Sequence, residues 1–397
     1  MKWLFPLAVR APLSLVAALM LVRLADEWFT FFPAGAIAPI QDDLGLTYVQ
    51  AGVVLTALPA GGILEHGFAV AADYVDRRVL AAGGAFVQAF CLAGFAIADS
   101  FLLLVVVSFL WGMSTDAFVS GCEVALVDLY HDQLAPALAR VNAFGAVGDL
   151  LGPLTLAAAA ALGAGWRSVF LAAAVLMALY ALWLVFQRFP PPRPPASEDH
   201  TPVRGVLSVL RDPRIVLLAL VSALFGVLDE PFWGFTIVYL EQVRETPAGV
   251  ATLLVAVGVS GGLAGFLAVD RVSRALAPRT ALLVFAAGVG LAVATLIIAR
   301  FVVIQAVSAF AFGFTGAVFY SVLQAVILGM RPGQAGTTSA VVSTIGLLGI
   351  AFPPLVGAVS DATGLTTGLM LYVLVPVLML LLLAAGAPAT REATPSQ

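Results

Sequence analysis

The chain has 397 residues, of which 61% are hydrophobic and only 11% are charged, whereas a soluble domain is about 45–50% apolar and about 25% charged. So little charge cannot cover the surface of a soluble protein, and the composition therefore predicts a polytopic membrane protein. A net charge of −4 without a basic run excludes a nucleic-acid-binding surface, and two cysteines inside apolar stretches, Cys91 and Cys122, exclude a disulfide framework.

The first apolar run follows a basic N-terminus and continues past Arg23 without the cleavage site of a signal peptide, so we expect a retained first helix. About 20 apolar residues cross a bilayer as a helix, and the runs here are too long and continuous for outer-membrane strands. The fold class predicted is an all-α membrane protein with twelve transmembrane helices, named spans 1 to 12. Their predicted limits are 12–38, 49–71, 79–98, 101–127, 141–163, 167–187, 215–240, 247–269, 280–299, 301–329, 335–358 and 366–387.

The distribution of Lys and Arg indicates the orientation, because cytoplasmic loops carry an excess of both residues. With the N-terminus inside, 15 of the 19 basic residues fall on the cytoplasmic side, and only Arg167, Arg244 and Arg300 fall outside. We therefore expect a multi-pass plasma-membrane protein (in a bacterium, of the inner membrane) with both termini in the cytoplasm.

Intramembrane charges mark the candidate site in spans 1 and 7, where Asp26–Glu27 and Asp229–Glu230 lie near mid-span. An ionised side chain at the bilayer centre costs at least about 2.5–3.5 kcal/mol, so such groups face a cavity or a partner. Arg23 is three and four residues before the first pair, on the same helix face, and can serve either acid. In one interpretation, these charges form an ion pair that only stabilises the bundle. In the other, they line a cavity in which the acids without a basic partner bind and release protons. Since adjacent helical residues point about 100° apart, we expect one acid of each pair to face the cavity.

Other polar and aromatic residues in the spans leave two interpretations open. Asp116 in span 4 either binds a proton or substrate, or forms a hydrogen bond between helices. Aromatic residues beside the acids either pack against lipid and neighbouring helices or line a cavity that tolerates cations. The aromatic candidates are Trp28, Phe31, Phe232 and Trp233.

A proline-rich stretch separates spans 6 and 7, and its composition predicts an extended cytoplasmic linker at 188–214. It divides the chain into a six-helix bundle at 1–187 and another at 215–387, followed by a cytoplasmic tail at 388–397. An internal repeat supports two pseudo-symmetric bundles, because five residue pairs match at an offset of 201 positions. These pairs are Gly112 and Gly313, Phe118 and Phe319, Gly145 and Gly346, Gly148 and Gly349, and Pro153 and Pro354.

The chain resembles the major facilitator superfamily over nearly its whole length, with six plus six spans, a long central loop and both termini inside. The loop after span 2 keeps the acidic and basic residues of the family's signature but lacks its glycine, and a similar cluster follows span 8. We expect both clusters to tie neighbouring helices when the cavity faces outward; alternatively, they only determine topology. The candidate cytoplasmic gate residues are Glu65, His66, Asp73, Arg77, Arg78, Asp270, Arg271 and Arg274.

Span 5 contains a segment at 148–153 that is similar to the glycine–proline motif of the family's drug/proton antiporters. The two glycines expected after the proline are replaced by Leu156 and Ala157, and the arginine usual in span 4 is absent. The resemblance implies a helix-packing and gating role for the residues that match the motif and its counterpart in span 11. These residues are Gly148, Asp149, Gly152, Pro153, Gly349 and Pro354.

The function expected is secondary active transport, since the chain has no phosphate-binding loop and no soluble domain that could hold ATP. An acidic, aromatic cavity favours proton-coupled movement of an amphipathic or cationic organic solute by alternating access, with export favoured. The alternative is a proton-coupled importer of a small polar nutrient such as a sugar or organic acid, which would need Asn and Gln that the spans nearly lack. We expect no enzymatic activity and no bound cofactor or metal. The partners expected are the substrate, the coupling proton and the lipid bilayer. The chain is expected to be a monomer.

Overall fold

The computed structural model describes residues 13–64, 75–129, 134–191, 209–331 and 335–385, and this part of the chain is helical and contains no strand. Several predicted features lie outside the described residues. They are the gate residues Glu65, His66 and Asp73, residues 192–208 of the linker, and the tail at 388–397.

The first half contains spans 1 to 6. Span 1 is built from four helical segments, Leu13–Met20, Val22–Thr30, Phe32–Gly35 and Ile37–Leu44. The described part of span 2 is an apolar helix of 14 residues that ends in a short 3-10 turn. Spans 2 to 6 contain the helices Tyr48–Gly61, Arg77–Ile97, Phe101–Leu129, Leu134–Ala161 and Trp166–Val185.

The second half contains spans 7 to 12, of which spans 7 and 11 are broken. Within the described residues, ten helical stretches corresponding to spans 3 to 12 are long and apolar enough to cross a membrane. Span 7 consists of Pro213–Gly226 and Glu230–Gln242, and span 11 of Ala335–Gly346, a 3-10 turn at Leu347–Ala351 and Phe352–Thr363. Spans 8, 9, 10 and 12 are Ala248–Ala275, Pro278–Ile298, Val302–Gly329 and Leu365–Ala385.

Local sequence explains where several helices begin and break. Thr47 and Gln50 form a reciprocal capping box at the start of span 2. Asp212 caps span 7, whose first helical residue is Pro213. The break in span 7 precedes Pro231, which has no N–H to donate to the carbonyl four residues earlier.

The internal repeat is visible in the packing of spans 2 and 4 and of spans 8 and 10. A β-carbon on Gly112 would overlap the carbonyl oxygen of Leu58, and one on Gly313 would overlap that of Gly258. These equivalent glycines therefore allow the same close helix crossing in each half, as small residues do in membrane bundles.

The two halves meet at the end of the bundle where spans 1 and 2 join, which is the end predicted to lie outside the cell and is called the outer end. The N–H groups of Tyr48 and Val49 donate to the two carboxylate oxygens of Asp361 in span 11, at 2.9 and 3.0 Å. The Tyr48 hydroxyl donates to Gln242 at 2.9 Å, and the Gln242 amide donates to Asp42 at 3.1 Å. These five residues form an outer latch that joins spans 1 and 2 to spans 7 and 11.

Replacement of Asp361 by asparagine is expected to weaken the outer latch. The carboxylate lies at the positive N-terminal end of the span 2 helix, and charge-assisted hydrogen bonds are about twice as strong as neutral ones. We expect a loss of about 1–2 kcal/mol, which shifts the equilibrium toward opening about 5- to 30-fold. Electron-spin distance measurements between labels at the exposed residues Leu162 and Ile298 would show a longer outer-end distance.

Asp43 provides the matched control, because this exposed carboxylate at the same end pairs with Arg167 inside the first half. Asp43→Asn should leave the distance distribution unchanged. If Asp361→Asn also left it unchanged, the latch would not hold this end closed.

Candidate functional site

A cavity of about 660 Å³ lies between the two halves and is lined by residues from both. An adjoining cavity of about 220 Å³ shares its acidic residues. Among the described residues, no Lys, Arg or His lines either cavity. The acids that line them are Glu27 of span 1, Asp149 of span 5, and Asp229 and Glu230 of span 7.

Arg23, which does not line either cavity, pairs with acids of spans 1 and 4. Its guanidinium lies 2.8 Å from the Glu123 carboxylate and donates to the same oxygen through Nε at 2.9 Å. It also lies 3.5 Å from Asp26 and 3.6 Å from Glu27. The main partner of Arg23 is therefore Glu123, 100 residues away along the chain, and Asp26 and Glu27 are secondary partners.

Glu27 and Asp149 bring two carboxyl groups together at the boundary of spans 1 and 5. Both residues line the same two cavities. Gly148 allows spans 1 and 5 to approach here, because a β-carbon there would lie 2.6 Å from the Leu24 carbonyl oxygen and 3.0 Å from the Glu27 side chain. Like charges a few ångströms apart repel each other, so carboxyl groups placed close together are suited to share a proton.

Asp229 and Glu230 lie at the break in span 7, and both residues line the cavity. The expectation that one acid of each pair faces the cavity fits span 1, where Asp26 is only 4% exposed and turned away. It does not fit span 7, because the backbone at Asp229 has φ −104° and ψ −145° and leaves the helix. The 100° rotation between successive helical residues therefore does not apply there.

The two halves differ in charge at equivalent positions. Alignment of Asp26–Glu27 with Asp229–Glu230, at an offset of 203, relates Arg23 to Gly226, and the offset of 201 relates Glu123 to Gln324. Gly226 and Gln324 both line the cavity, so the second half has no counterpart of the Arg23–Glu123 ion pair. Among the described residues, no cation forms an ion pair with Asp229 or Glu230.

Two of the four predicted aromatic residues line the cavities, Phe31 and Trp233. Trp28 lies at a separate apolar pocket and donates its indole N–H to Thr155 at 2.9 Å. Phe232 is fully buried against Phe312 and Tyr372. The cavity has further aromatic walls that sequence analysis did not single out, namely Phe225, Phe266, Phe312 and Tyr320.

Asp116 and the described gate candidates do not line this cavity. Asp116 lies next to Gly62 of span 2, whose β-carbon would be 3.5 Å from the carboxylate. Arg77 is 1% exposed at the start of span 3, and Arg78 lies 3.6 Å from Asp76. The remaining described gate candidates, at the end of span 8, are exposed; they are Asp270, Arg271 and Arg274.

The span 5 motif packs against span 1, with Gly148 facing the Leu24 carbonyl and Gly152 facing Trp28 and Phe31. Pro153 lies inside the span 5 helix. In the second half, a β-carbon on Gly349 would lie 3.2 Å from Val227 of span 7. Pro354 lies at the crossing of spans 2 and 11, where its nitrogen is 2.9 Å from the position of a β-carbon on Gly52.

Two helical bundles related by an internal repeat, with a central polar cavity and one closed end, define the class of alternating-access secondary transporters. The sequence profile of the Major Facilitator Superfamily matches residues 15–354. The chain belongs to this family, which confirms the predicted family and fold and makes it a transport protein rather than an enzyme.

Relatives and solved structures agree with this assignment. The chain is 23% identical over 334 residues to the uncharacterized MFS-type transporter YfkL of Bacillus subtilis (strain 168), with 82% of each chain covered. It is 29% identical over 273 residues to a chloramphenicol resistance protein of Streptomyces lividans, with 66% of each chain covered.

Solved structures show the same fold at low sequence identity. The nucleoside transporter NupG superposes with a TM-score of 0.79 at 13% identity, covering 94% of this chain and 98% of that one. A bacterial homologue of the human lysosomal transporter Spinster, inward-facing and occupied, superposes with a TM-score of 0.77 at 16% identity, covering 94% and 96%.

Proposed function

We propose that the protein is a proton-coupled exporter of amphipathic organic cations. The observation that carries this proposal is the convergence of Glu27, Asp149, Asp229 and Glu230 on one cavity that has aromatic walls. A cation is attracted both by carboxylates and by the faces of aromatic rings, more strongly where water is excluded.

The acids give the cavity a means of exchanging protons for a positively charged substrate. Four ionised carboxylates in one low-dielectric cavity would repel each other, so protons must occupy part of them when no cation is bound. The Glu27–Asp149 pair is suited to hold one such proton. A cation that binds between Glu27–Asp149 and Asp229–Glu230 stabilises ionised carboxylates and displaces the proton.

Alternating access completes the coupling. The outer latch closes one end, and the cavity extends past Gln324 and Ser343 toward the end predicted to face the cytoplasm. A cation binds from this side as the proton of the Glu27–Asp149 pair leaves. After the latch opens, a proton from outside returns to this pair and releases the cation.

The test is transport in proteoliposomes with an imposed pH gradient, using ethidium as the cationic probe. Asp26→Asn, Glu27→Gln, Asp229→Asn and Glu230→Gln are each measured, together with Asp149→Asn. We expect at least one of the first four to lose gradient-driven transport while the protein stays folded, and Asp149→Asn to impair proton coupling.

Asp99→Asn is the control, since Asp99 is an exposed acid in the loop between spans 3 and 4. It should transport ethidium like the unmodified protein. Full activity in all five variants would contradict the mechanism and direct attention to Asp116.

A second candidate function is proton-coupled import of a small polar solute. Ser222, Gln324 and Ser343 line the cavity and could form hydrogen bonds with such a solute, and the superposed structures include a nucleoside transporter. Uridine and chloramphenicol, tested beside ethidium, separate the candidates. Uptake of uridine with the proton gradient, without ethidium exchange, would favour import.

A further inference from the structure

A second polar pocket of about 470 Å³ lies at the outer end of the second half, remote from the transport cavity. It is formed by the loop between spans 7 and 8 and the loop between spans 9 and 10. Its charged and polar lining includes Arg244, Glu245, Arg300 and Gln305. The pocket thus contains two guanidinium groups, one carboxylate and one amide.

Two buried polar atoms at this pocket have no partner among the described residues. Gln305 is 1% exposed; its Nε2 donates to the Ala299 carbonyl at 3.1 Å, while its Oε1 receives no hydrogen bond. Arg244 donates through Nη2 to the carbonyls of Ile297 and Ile298, while its Nε–H is buried without an acceptor. Buried polar atoms usually form hydrogen bonds. We therefore expect a ligand of this pocket to provide an acceptor for the Nε–H of Arg244 and a donor for Oε1 of Gln305.

Exposed apolar side chains lie among or next to the lining residues along the chain. Phe301 is 72% and Val303 75% exposed, and Ile298 and Val243 are also exposed. In a membrane protein such surfaces contact acyl chains, and Arg residues at span ends lie at the level of lipid headgroups.

We propose that this pocket binds the headgroup of an aminophospholipid of the outer leaflet, of the phosphatidylethanolamine type. The phosphate accepts hydrogen bonds from Arg244 and Arg300, for which a guanidinium has matching geometry. The ammonium donates to Oε1 of Gln305 and pairs with Glu245. The acyl chains then follow Phe301 and Val303 into the bilayer.

The chemistry of the pocket favours this zwitterion over other headgroups. Phosphatidylglycerol has hydroxyl groups that can donate to Gln305, but it has no cation to pair with Glu245 once its phosphate occupies the two guanidinium groups. A phosphocholine headgroup carries a cation but no N–H, so it leaves Gln305 unsatisfied. We therefore expect phosphatidylethanolamine to bind more tightly than phosphatidylglycerol or phosphatidylcholine. Attraction of an anionic lipid to the two arginines alone would instead favour phosphatidylglycerol.

The test compares thermal unfolding of the detergent-purified protein with dioleoyl phosphatidylethanolamine, phosphatidylcholine or phosphatidylglycerol, and with soluble phosphoethanolamine. A ligand that binds the folded state raises the unfolding midpoint. We expect the ethanolamine lipid to raise it most. Arg300→Ala and Glu245→Gln, both at exposed positions, should each weaken its apparent affinity about tenfold, as loss of a charged hydrogen bond does.

Arg279→Ala is the matched control, because Arg279 is exposed at the opposite end of span 9, and it should keep the full response. An equal response to phosphatidylglycerol or phosphatidylcholine would overturn the proposed recognition of an ammonium group. An equal response to soluble phosphoethanolamine would overturn the lipid as the ligand. Unchanged affinity in both pocket variants would overturn the site itself.

Discussion

Gly313→Ala is expected to prevent stable folding of the second half. The added methyl group would overlap the carbonyl oxygen of Gly258, and the neighbouring atoms are also backbone, which cannot rotate away as a side chain can. Spans 8 and 10 must then separate along their length, so we expect a loss of about 3 kcal/mol or more, the upper range for overpacked sites. The measurement is the yield of monodisperse protein and its thermal unfolding midpoint.

Gly329→Ala, at the end of the same helix, is the control because a β-carbon there meets nothing within 4 Å. This change should be neutral or slightly stabilising, since alanine is a better helix former than glycine. The equivalent substitution in the first half, Gly112→Ala, should match Gly313→Ala. Equal stability of Gly313→Ala and Gly329→Ala would show that spans 8 and 10 do not cross at this glycine.

Arg23→Gln is expected to destabilise the first half and to abolish coupled transport. It leaves Asp26, Glu27 and Glu123 without their shared cation. Breaking a fully buried ion pair costs about 3–5 kcal/mol; because the side chains of Arg23 and Glu123 are about a third exposed, we expect about 2 kcal/mol. Thermal unfolding in detergent measures the loss.

Arg23→Gln combined with Glu123→Gln should recover most of the lost stability, because a neutral amide pair replaces an uncompensated carboxylate. Arg167→Gln serves for comparison, since the pair of Arg167 with Asp43 is more exposed and should contribute about 1 kcal/mol or less. A double variant less stable than Arg23→Gln alone would contradict the assignment of Glu123 as the main partner.

The sequence was sufficient to predict the architecture because apolar length and the 201-residue offset are strong signals. Pro231 also predicts a kink in span 7, since it cannot donate to the carbonyl of Val227. The prediction that one acid of Asp229–Glu230 turns away nevertheless assumes helical geometry at both residues, and the backbone at Asp229 does not have it.

The rotation of the spans about their axes was harder to predict. In a membrane helix, apolar side chains face lipid as well as the bundle, so hydrophobic periodicity does not distinguish the two sides. For this reason Trp28 and Phe232 were grouped with Phe31 and Trp233, although only the latter two line the cavities. The Arg23–Glu123 pair and the contact of Asp361 with span 2 depend on tertiary packing over 100 and 312 residues.

The carboxyl pair Glu27–Asp149 determines whether the membrane potential can drive the proposed transport. Moving one elementary charge across the membrane changes the energy by about 2.3 kcal/mol per 100 mV. In the proposed mechanism, one proton leaves the pair when one monovalent cation binds, so the cavity carries the same net charge in both reorientation steps. Exchange at this stoichiometry is electroneutral: a pH gradient drives it, and a potassium diffusion potential set with valinomycin does not. A divalent cation exchanged for a single proton would make the same protein electrogenic.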